Sequence, residues 1–406
     1  LGGISVYIII IYVLRICRIE LKTRVGIICC LIIFFNPIIW IMSNRYMPDL
    51  FGLSILVVSI FYLLYGNKKT QIYKGYFLTG LLAGIRISYL PFLFAPIIYT
   101  FINEKNKPYL ALALLSGIFL WAIPFTWITG LDSLLKNAFM QAQGHFTNFG
   151  GTILTDTDWT IRMKYLILGI WSDGFGGYWV GRSLQTIPLS ITLLYLLKIG
   201  FSGFGKHYKF DQSLKILLIS TLIYLLWIYF FQNVIYKSRH VLPLLIIIFV
   251  IIVVGQKYIF NTKGLSINII IMTYFITSIS ITTQLVFQHK NPNAIAKLKD
   301  SVSTLPVETD IISFPLINFY LKSHGLKNNF ININNISDFD NLVIGERENV
   351  YVIGNFDDQD VKKLDLVLDE VFFHNPYVNR MWSELRKYRL PRYCLLGDIS
   401  NSTNHR

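Results

Sequence analysis

The sequence predicts an α-helical polytopic membrane protein of about ten spans, some short or broken, with a small α/β domain on the outer face. Of its 406 residues, 53% are hydrophobic and only 15% are charged, whereas soluble domains carry about 25% charged residues. Residues 1–288 hold 23 Lys and Arg against 8 Asp and Glu, and residues 289–406 hold 14 against 15. This change divides the chain into a membrane domain, 1–288, and a soluble domain, 289–406. The positive charge is a topology signal, so nucleic acid is not an expected partner.

Apolar runs locate the expected spans. They cover 3–17, 25–43, 50–65, 75–90, 91–101, 109–129, 184–201, 213–231, 241–256 and 266–287. The stretch 75–101 exceeds the ~20 residues of one span, and Pro91 and Pro96 interrupt it. We therefore expect two short helices that turn near Ser88–Pro91.

Basic residues in the loops predict the orientation. One set of alternate loops contains 15 of them: Arg15, Arg18, Lys22, Arg24, Lys68, Lys69, Lys74, Lys105, Lys107, Lys198, Lys206, Lys209, Lys215, Lys257 and Lys263. The opposite set contains 7: Arg45, Lys136, Arg162, Lys164, Arg182, Lys237 and Arg239. The positive-inside rule makes the richer set cytoplasmic. The long loop 130–183, with interfacial segments, and the domain 289–406 are then outside, and a bacterial plasma membrane is the expected location.

The domain 289–406 shows strands alternating with helices. DIISFP (310–315), NFINI (329–333) and NVYVIGNF (349–356) are predicted strands, while 317–326 and 360–371 are predicted helices. This order indicates a largely parallel sheet. No strand is followed by GxGxxG, so no nucleotide cofactor is expected, and a lid or packing domain without chemistry is the simplest interpretation.

Two charged residues of the membrane half are candidates for chemistry. Asp49 follows Pro48 at the outer start of a span, where a carboxylate is a favourable helix-terminal charge. It could equally bind a sugar hydroxyl, a cation or a catalytic partner. Arg86 lies in the apolar string LLAGIRISYLP, where a charge is costly and usually faces a cavity. Arg86 therefore either extends towards the surface or faces a phosphate, and we favour the phosphate.

A second group of cations precedes a late span. YKSRHVLPLL places Lys237, Arg239 and His240 together at its outer end. Arginine binds phosphate through paired hydrogen bonds and lysine binds it as a point charge. The alternative is ordinary interfacial anchoring. We predict a phosphate or pyrophosphate site.

The loop 130–183 combines glycine, aromatic and polar residues. QAQGHFTNFGGT contains His145 and Asn148, which suit a carbohydrate or head-group platform, although an aromatic belt has the same composition. Asp156 and Asp158 have a DxD spacing that could hold a divalent cation, a weak signal on spacing alone. No other cofactor is expected. The four cysteines, Cys17, Cys29, Cys30 and Cys394, form neither a disulfide framework nor a metal-ligand pattern.

The strings RYMPDLFGLSI, AGIRISYLPFLFAP, GHFTNFGG and SRHVLPLL together resemble the GT-C superfamily. These are integral-membrane glycosyltransferases that use polyprenyl-phosphate sugars, such as the bacterial dolichyl-phosphate-mannose-mannosyltransferase-like proteins. The resemblance implies inverting transfer of a sugar from a lipid phosphate donor to a lipid, glycan or protein acceptor on the outer face. It implies that Arg239, with Lys237 and His240, binds the donor phosphate, and that Asp49 serves the sugar or acceptor end.

The family's main catalytic carboxylate lies in the first outer loop, and the chain starts at Leu1 within an apolar run. We therefore expect the sequence to be incomplete at its N-terminus. We predict Asp49 as a catalytic residue, and as substrate-binding residues Arg86, His145, Asn148, Lys237, Arg239 and His240.

Two other functions remain open: polysaccharide assembly without transfer, as in a polymerase or flippase, and a transporter or sensor with an outer domain. The spans lack the paired acids of ion-coupled pumps, which argues modestly against a transporter.

Overall fold

The computed structural model describes residues 1–44, 47–147, 152–180, 182–208, 211–233, 237–259, 265–333, 338, 349–354, 356, 361–362, 366–373 and 389–395. The chain divides into two compact units, one covering Leu1–Leu285 and one that begins at Val286. This division falls close to the expected boundary between residues 288 and 289.

In the described residues of the first unit, all regular secondary structure is helical. Its α-helices are α1 (Gly2–Ile16), α2 (Arg24–Phe34), α3 (Pro37–Ser43), α4 (Asp49–Tyr65), α5 (Lys69–Arg86), α6 (Phe94–Asn103), α7 (Lys107–Thr129), α8 (Leu131–Thr147), α9 (Trp159–Leu168), α10 (Thr186–Tyr208), α11 (Gln212–Phe231), α12 (Leu242–Ile259) and α13 (Leu265–His289). Two 3₁₀ segments, Ile87–Leu93 and Ser238–Val241, and a π-helical segment, Gly169–Gly174, connect some of them.

The protein has several apolar helices long enough to cross a membrane. Within the described residues they number six, or seven if α2 and α3 form one bent span. The expected count of about ten is not confirmed. The difference comes from short elements: α1 and α4 have 15 and 17 residues and α6 has 10, below the ~20 that cross a bilayer upright.

The bend between α2 and α3 follows from the sequence Asn36–Pro37. The Asn36 side chain accepts a hydrogen bond from the Ile39 amide, and Pro37 occupies the first position of α3. Both are helix-start features, and the two helix axes differ by 61°. The Nδ2 atom of the same Asn36 side chain donates to the Gly174 carbonyl at 2.9 Å.

The chain reverses direction between α5 and α6, as the prolines of this stretch predict. The 3₁₀ segment Ile87–Leu93 forms the turn. Tyr76 donates to the Ile97 carbonyl at 2.9 Å, whereas a continuous helix would separate these residues by about 32 Å. At the base of the hairpin, Lys69 Nζ lies 3.8 Å from Glu104 Oε1.

Helices α5 and α7 run parallel at very close range. A Cβ on Gly80 would lie 2.1 Å from the Leu114 carbonyl oxygen, and one on Gly117 would lie 2.1 Å from that of Phe77. Trp121 donates its indole N–H to the Gly80 carbonyl at 3.0 Å. Small residues permit this approach, as in other membrane helix pairs. Both helices therefore end at the same end of the first unit.

We call that end the Asp49 end, because α4 begins there with Asp49 and α5 finishes beside it with Arg86. The opposite end carries residues from the predicted cytoplasmic loops. Arg18 Nη2 lies 3.5 Å from Asp211 Oδ2 at the start of α11, and Lys257 at the close of α12 donates to the Arg18 carbonyl. The structure thus separates the two predicted sets of loops at these positions.

The described residues of the second unit include a mixed sheet of five strands. Its elements are α14 (Ala294–Val302), β1 (Asp310–Ser313), α15 (Pro315–Ser323), β2 (Asn329–Asn332), β3 (Val350–Ile353), β4 (Leu366–Phe373) and β5 (Arg389–Leu395). The strand order is β2-β1-β3-β5-β4. Strand β1 is parallel to β2 and β3, but β5 is antiparallel to β3 and β4.

The helix predicted over 360–371 is wrong for its second half, because Leu366–Phe373 form β4. The apolar residues of this stretch fit a strand paired with β5, and Arg392 of β5 supplies the ion pair. Its guanidinium lies 2.6 Å from Asp369 Oδ2 and donates to Ser301 Oγ at 2.7 Å. Tertiary pairing therefore overrides the helical spacing of the acids and lysines.

Candidate functional site

Asp49 is buried at the start of α4. Only 1% of the residue is exposed, and it occupies the first helical turn behind Pro48. The partial positive charge of a helix N-terminus favours a carboxylate at this position. Burial of a charged group is costly unless other charges compensate it, so the neighbours of Asp49 decide its role.

Two arginines from distant parts of the chain compensate Asp49. Arg86 Nη2 lies 2.8 Å from Asp49 Oδ1, and Arg239 Nε lies 3.9 Å from the same oxygen. The two arginine side chains are only about a fifth exposed, at 20% and 19%. Arg86 therefore points towards Asp49 and does not extend away to the surface. One carboxylate between two guanidinium groups leaves a net positive charge, which an anionic ligand would neutralise.

A glycine permits the close approach of Arg86 to α4. A Cβ on Gly52 would lie 2.9 Å from Arg86 Cβ and 3.5 Å from Tyr89 Cε2. Gly52 lies one helical turn after Asp49, so the Asp49 carboxylate and the space left by Gly52 are on the same face of α4. Any side chain at position 52 would displace Arg86.

Two tyrosines, Tyr89 and Tyr224, connect Arg86 with the segment that carries Arg239. The Arg86 guanidinium carbon lies 5.8 Å from the centre of the Tyr89 ring, within range of a cation–π contact. The Tyr89 ring lies 6.3 Å from that of Tyr224, whose hydroxyl donates to the His240 carbonyl at 3.0 Å. These contacts join the turn after α5 to the Ser238–Val241 segment, which carries Arg239 and His240.

Several buried polar atoms at this site have no hydrogen-bond partner within the described part of the chain. They are Asp49 Oδ1 and Oδ2, Arg86 Nε, Ser88 Oγ, Tyr89 Oη, Arg239 Nε and His240 Nδ1. The 2.8 Å contact between Asp49 and Arg86 is thus an ion pair without hydrogen-bond alignment. Buried polar atoms are almost always satisfied, so a concentration of such atoms indicates a place for a polar ligand or water.

His145 has a structural partner at the end of α11. Its Nε2 donates to the Phe231 carbonyl at 2.6 Å, at the end of α11. Arg162 donates through Nε to the Tyr229 carbonyl and through Nη2 to that of Gln232, and the Ile153 amide donates to the Phe230 carbonyl. The final carbonyls of a helix lack partners within the helix, so His145 helps to cap α11.

The DxD pair also has local partners. Asp158 caps α9 by accepting from the amides of Thr160 and Ile161, and Thr155 Oγ1 lies 3.3 Å from Asp156 Oδ2. In the described ranges, no three His, Cys, Asp or Glu side chains group as a metal site would require. A cation at Asp156 and Asp158 stays a prediction.

Three predicted site residues remain: Asn148, Lys237 and His240. Asn148 lies outside the described residues. The Lys237 amide donates to the Asn233 carbonyl, and the His240 amide donates to the Lys237 carbonyl, which places both at the start of the Ser238–Val241 turn. Lys237 is half-buried and His240 is buried. Because Arg239 of the same turn lies beside Asp49, the predicted cations Lys237, Arg239 and His240 are all at the Asp49 end.

Sequence reasoning missed a second buried ion pair next to this segment. Asp173 and Arg182 lie 2.5 Å apart and are almost fully buried. Burial lowers the pKa of Arg182 and the Asp173 charge opposes that shift. Asp173 belongs to the π-helical segment Gly169–Gly174, which packs against Ser238–Val241. The signal was present, since Asp173 is one of few acids in the membrane half.

Comparison with known proteins identifies no relative: no family model, curated protein or solved structure matches the chain. The resemblance to GT-C glycosyltransferases therefore stays a prediction from the sequence strings. The structure itself shows a membrane protein in which Asp49, Arg86 and Arg239 form a largely buried cluster with a net positive charge.

Proposed function

We propose that the protein is a membrane glycosyltransferase that moves a sugar from a polyprenyl-phosphate donor to a lipid, glycan or protein acceptor. The observation that carries this proposal is the cluster of Asp49 with Arg86 and Arg239, at 2.8 and 3.9 Å from one carboxylate oxygen. The cluster has a net positive charge and unpartnered polar atoms, as a site for an anionic head group requires. We place the reaction at the outer face of a bacterial plasma membrane.

In this mechanism the two arginines hold the donor phosphate. A guanidinium offers paired N–H groups that match the oxygens of a phosphate. As the bond between sugar and phosphate breaks, negative charge grows on the departing phosphate, and Arg86 and Arg239 stabilise that charge. Lys237, on the same turn as Arg239, adds a further positive charge to the same end.

Asp49 has two roles in the proposal. Its Oδ1 lies near both arginines and so fixes their orientation before the donor binds. Its Oδ2 is buried and unpartnered, and it is the oxygen left to accept a proton or hydrogen bond from a sugar or acceptor hydroxyl. The carboxylate thus joins the phosphate end of the site to the sugar end.

The experiment is a transfer assay in membranes with radiolabelled polyprenyl-phosphate sugars. It compares wild type with Asp49→Ala and Arg239→Ala, and uses Lys69→Ala as a matched control, because Lys69 is exposed in an ion pair at the other end of α5. We expect wild type and the control to transfer label, and the two site variants to lose about 10²–10³-fold in rate. Equal expression of all four proteins makes the rates comparable.

Two results would contradict the proposal. Transfer by Arg239→Ala at the control rate would remove the site from the reaction. Absence of transfer by wild type with every donor, while the protein is intact, would favour lipid-phosphate handling without transfer, as in a polymerase or flippase.

A further inference from the structure

Helix α8 has two chemically different faces. Leu131, Leu135 and Phe139 recur at every fourth position, so they share one face of the helix. Ser133 and Asn137 lie on the opposite face, with Lys136 beside them. Helix α8, with 17 residues, therefore has an apolar row on one side and polar residues on the other.

The apolar face of α8 has no protein cover among the described residues. Leu131 is 56% exposed, Leu135 is 59% exposed and Phe139 is 70% exposed. Gly144, near the C-terminal end, is the buried residue of this helix. Three large apolar side chains in one row therefore face outwards from the first unit, which requires a partner of matching chemistry.

Both ends of α8 are attached at the Asp49 end of the first unit. It starts after α7 through the single residue Gly130, whose φ of 77° lies in the left-handed region that glycine favours. Near its other end, His145 donates to the Phe231 carbonyl and the Phe146 ring packs edge-on to the Phe231 ring. A helix of about 26 Å held at both ends runs across the ends of α7 and α11 and does not project from them.

The surface of α7 continues into the apolar face of α8. Helix α7 is one of the candidate membrane spans and is 6% buried over its apolar window. Its last turn exposes Trp127 by 88% and Ile128 by 80%, immediately before Gly130. The end of a span lies at the membrane surface, so α8 begins at that surface with apolar side chains already exposed.

We propose that α8 is an interfacial helix that docks onto the lipid bilayer, with Leu131, Leu135 and Phe139 in the acyl boundary. Its polar face, with Ser133, Lys136 and Asn137, is in water. The helix thereby fixes the connection between α7 and the cap of α11 against the membrane. This inference is independent of the proposed glycosyltransferase activity, because it concerns a surface and no substrate.

The test measures the accessibility of nitroxide spin labels in the full chain, reconstituted in lipid nanodiscs. Each label is introduced on a genetically encoded ketone amino acid, so the four cysteines stay in place. Single labels replace residues of the apolar face (131, 135 and 139) and of the polar face (133, 136 and 137). Phe119 within α7 and Asp300 in the second unit, both exposed, provide the lipid and water references.

We expect oxygen, which partitions into lipid, to collide several-fold more with labels at 131, 135 and 139 than a water-soluble nickel complex does. The ratio should reverse at 133, 136 and 137, and the apolar positions should lie about 5–10 Å below the lipid phosphates. High nickel accessibility on both faces would overturn the proposal in favour of a helix in water. Low accessibility to both reagents at 131, 135 and 139 would overturn it in favour of a protein partner, such as a second copy. The assay uses no sugar donor, so its outcome is separate from that of the transfer assay.

Discussion

Replacement of Asp49 by asparagine leaves the shape of the side chain but removes the charge between Arg86 and Arg239. At an effective dielectric constant of about 20, the attraction of unit charges at 2.8 and 3.9 Å is about 6 and about 4 kcal/mol. The cost of taking the carboxylate out of water offsets much of this attraction. Removal of one partner from a buried ion pair costs about 3–5 kcal/mol, and we expect Asp49→Asn to lower the free energy of unfolding by that amount.

The measurement is reversible unfolding in mixed detergent and SDS micelles, followed by the loss of helical circular dichroism. Lys69→Gln is the matched control, because it removes an ion pair of 3.8 Å in which the lysine is 62% exposed. Exposed pairs contribute about 0–1 kcal/mol. The two variants should therefore differ by several kcal/mol although each removes one ion pair.

A double-mutant cycle of Asp49→Asn with Arg86→Gln assigns the effect to this pair. If Arg86 is held by Asp49, the double variant should be more stable than the sum of the single effects predicts, because it no longer leaves Arg86 charged without a carboxylate, while Arg239 loses Asp49 in both backgrounds. Additive effects, or equal stabilities of Asp49→Asn and Lys69→Gln, would refute the electrostatic reasoning.

Two further substitutions test the support of the site. Gly52→Ala places a methyl group 2.9 Å from Arg86 Cβ, so it should cost about 1–3 kcal/mol of unfolding free energy; Gly3→Ala, where nothing lies within 4 Å, should be neutral or stabilising in the same assay. Arg162→Met removes the donors to the last carbonyls of α11 and should cost about 1.5–3 kcal/mol per lost charged hydrogen bond. Exposed Lys164 on the same helix provides the control Lys164→Met, and equal unfolding midpoints for the two α9 variants would contradict the capping role.

The sequence was informative where charge is rare. Asp49, Arg86 and Arg239 stand out because a charged group in an apolar stretch needs compensation, and the structure brings these three together. Their contact was not predictable in detail, since the residues are far apart along the chain and no local period relates them. The scarcity of acids also pointed towards Asp173, but nothing in the sequence paired it with Arg182.

Local patterns were less reliable where tertiary contacts decide the structure. The composition of its loop predicted His145 as a substrate-binding residue, yet its Nε2 donates a hydrogen bond to the Phe231 carbonyl. The stretch 360–371 was predicted as a helix, but pairing with β5 makes Leu366–Phe373 a strand. Apolar windows predicted about ten spans, more than the six or seven sufficiently long apolar helices among the described residues, because such windows record hydrophobicity but not helix length; α6, for example, is only 10 residues long.

The most direct test of the central claim is the binding of polyprenyl phosphate to the purified protein, measured by native mass spectrometry from detergent. The uncharged polyprenol of the same chain length is the ligand control. Wild type should bind the phosphate at least about tenfold more tightly than the alcohol, since each charged hydrogen bond contributes about 1.5–3 kcal/mol. The Arg86→Gln/Arg239→Gln double variant, checked for folding by its unfolding midpoint, should bind both ligands equally weakly. Equal affinity of wild type for the phosphate and the alcohol, or unchanged phosphate affinity in the folded double variant, would contradict a phosphate site at Asp49, Arg86 and Arg239.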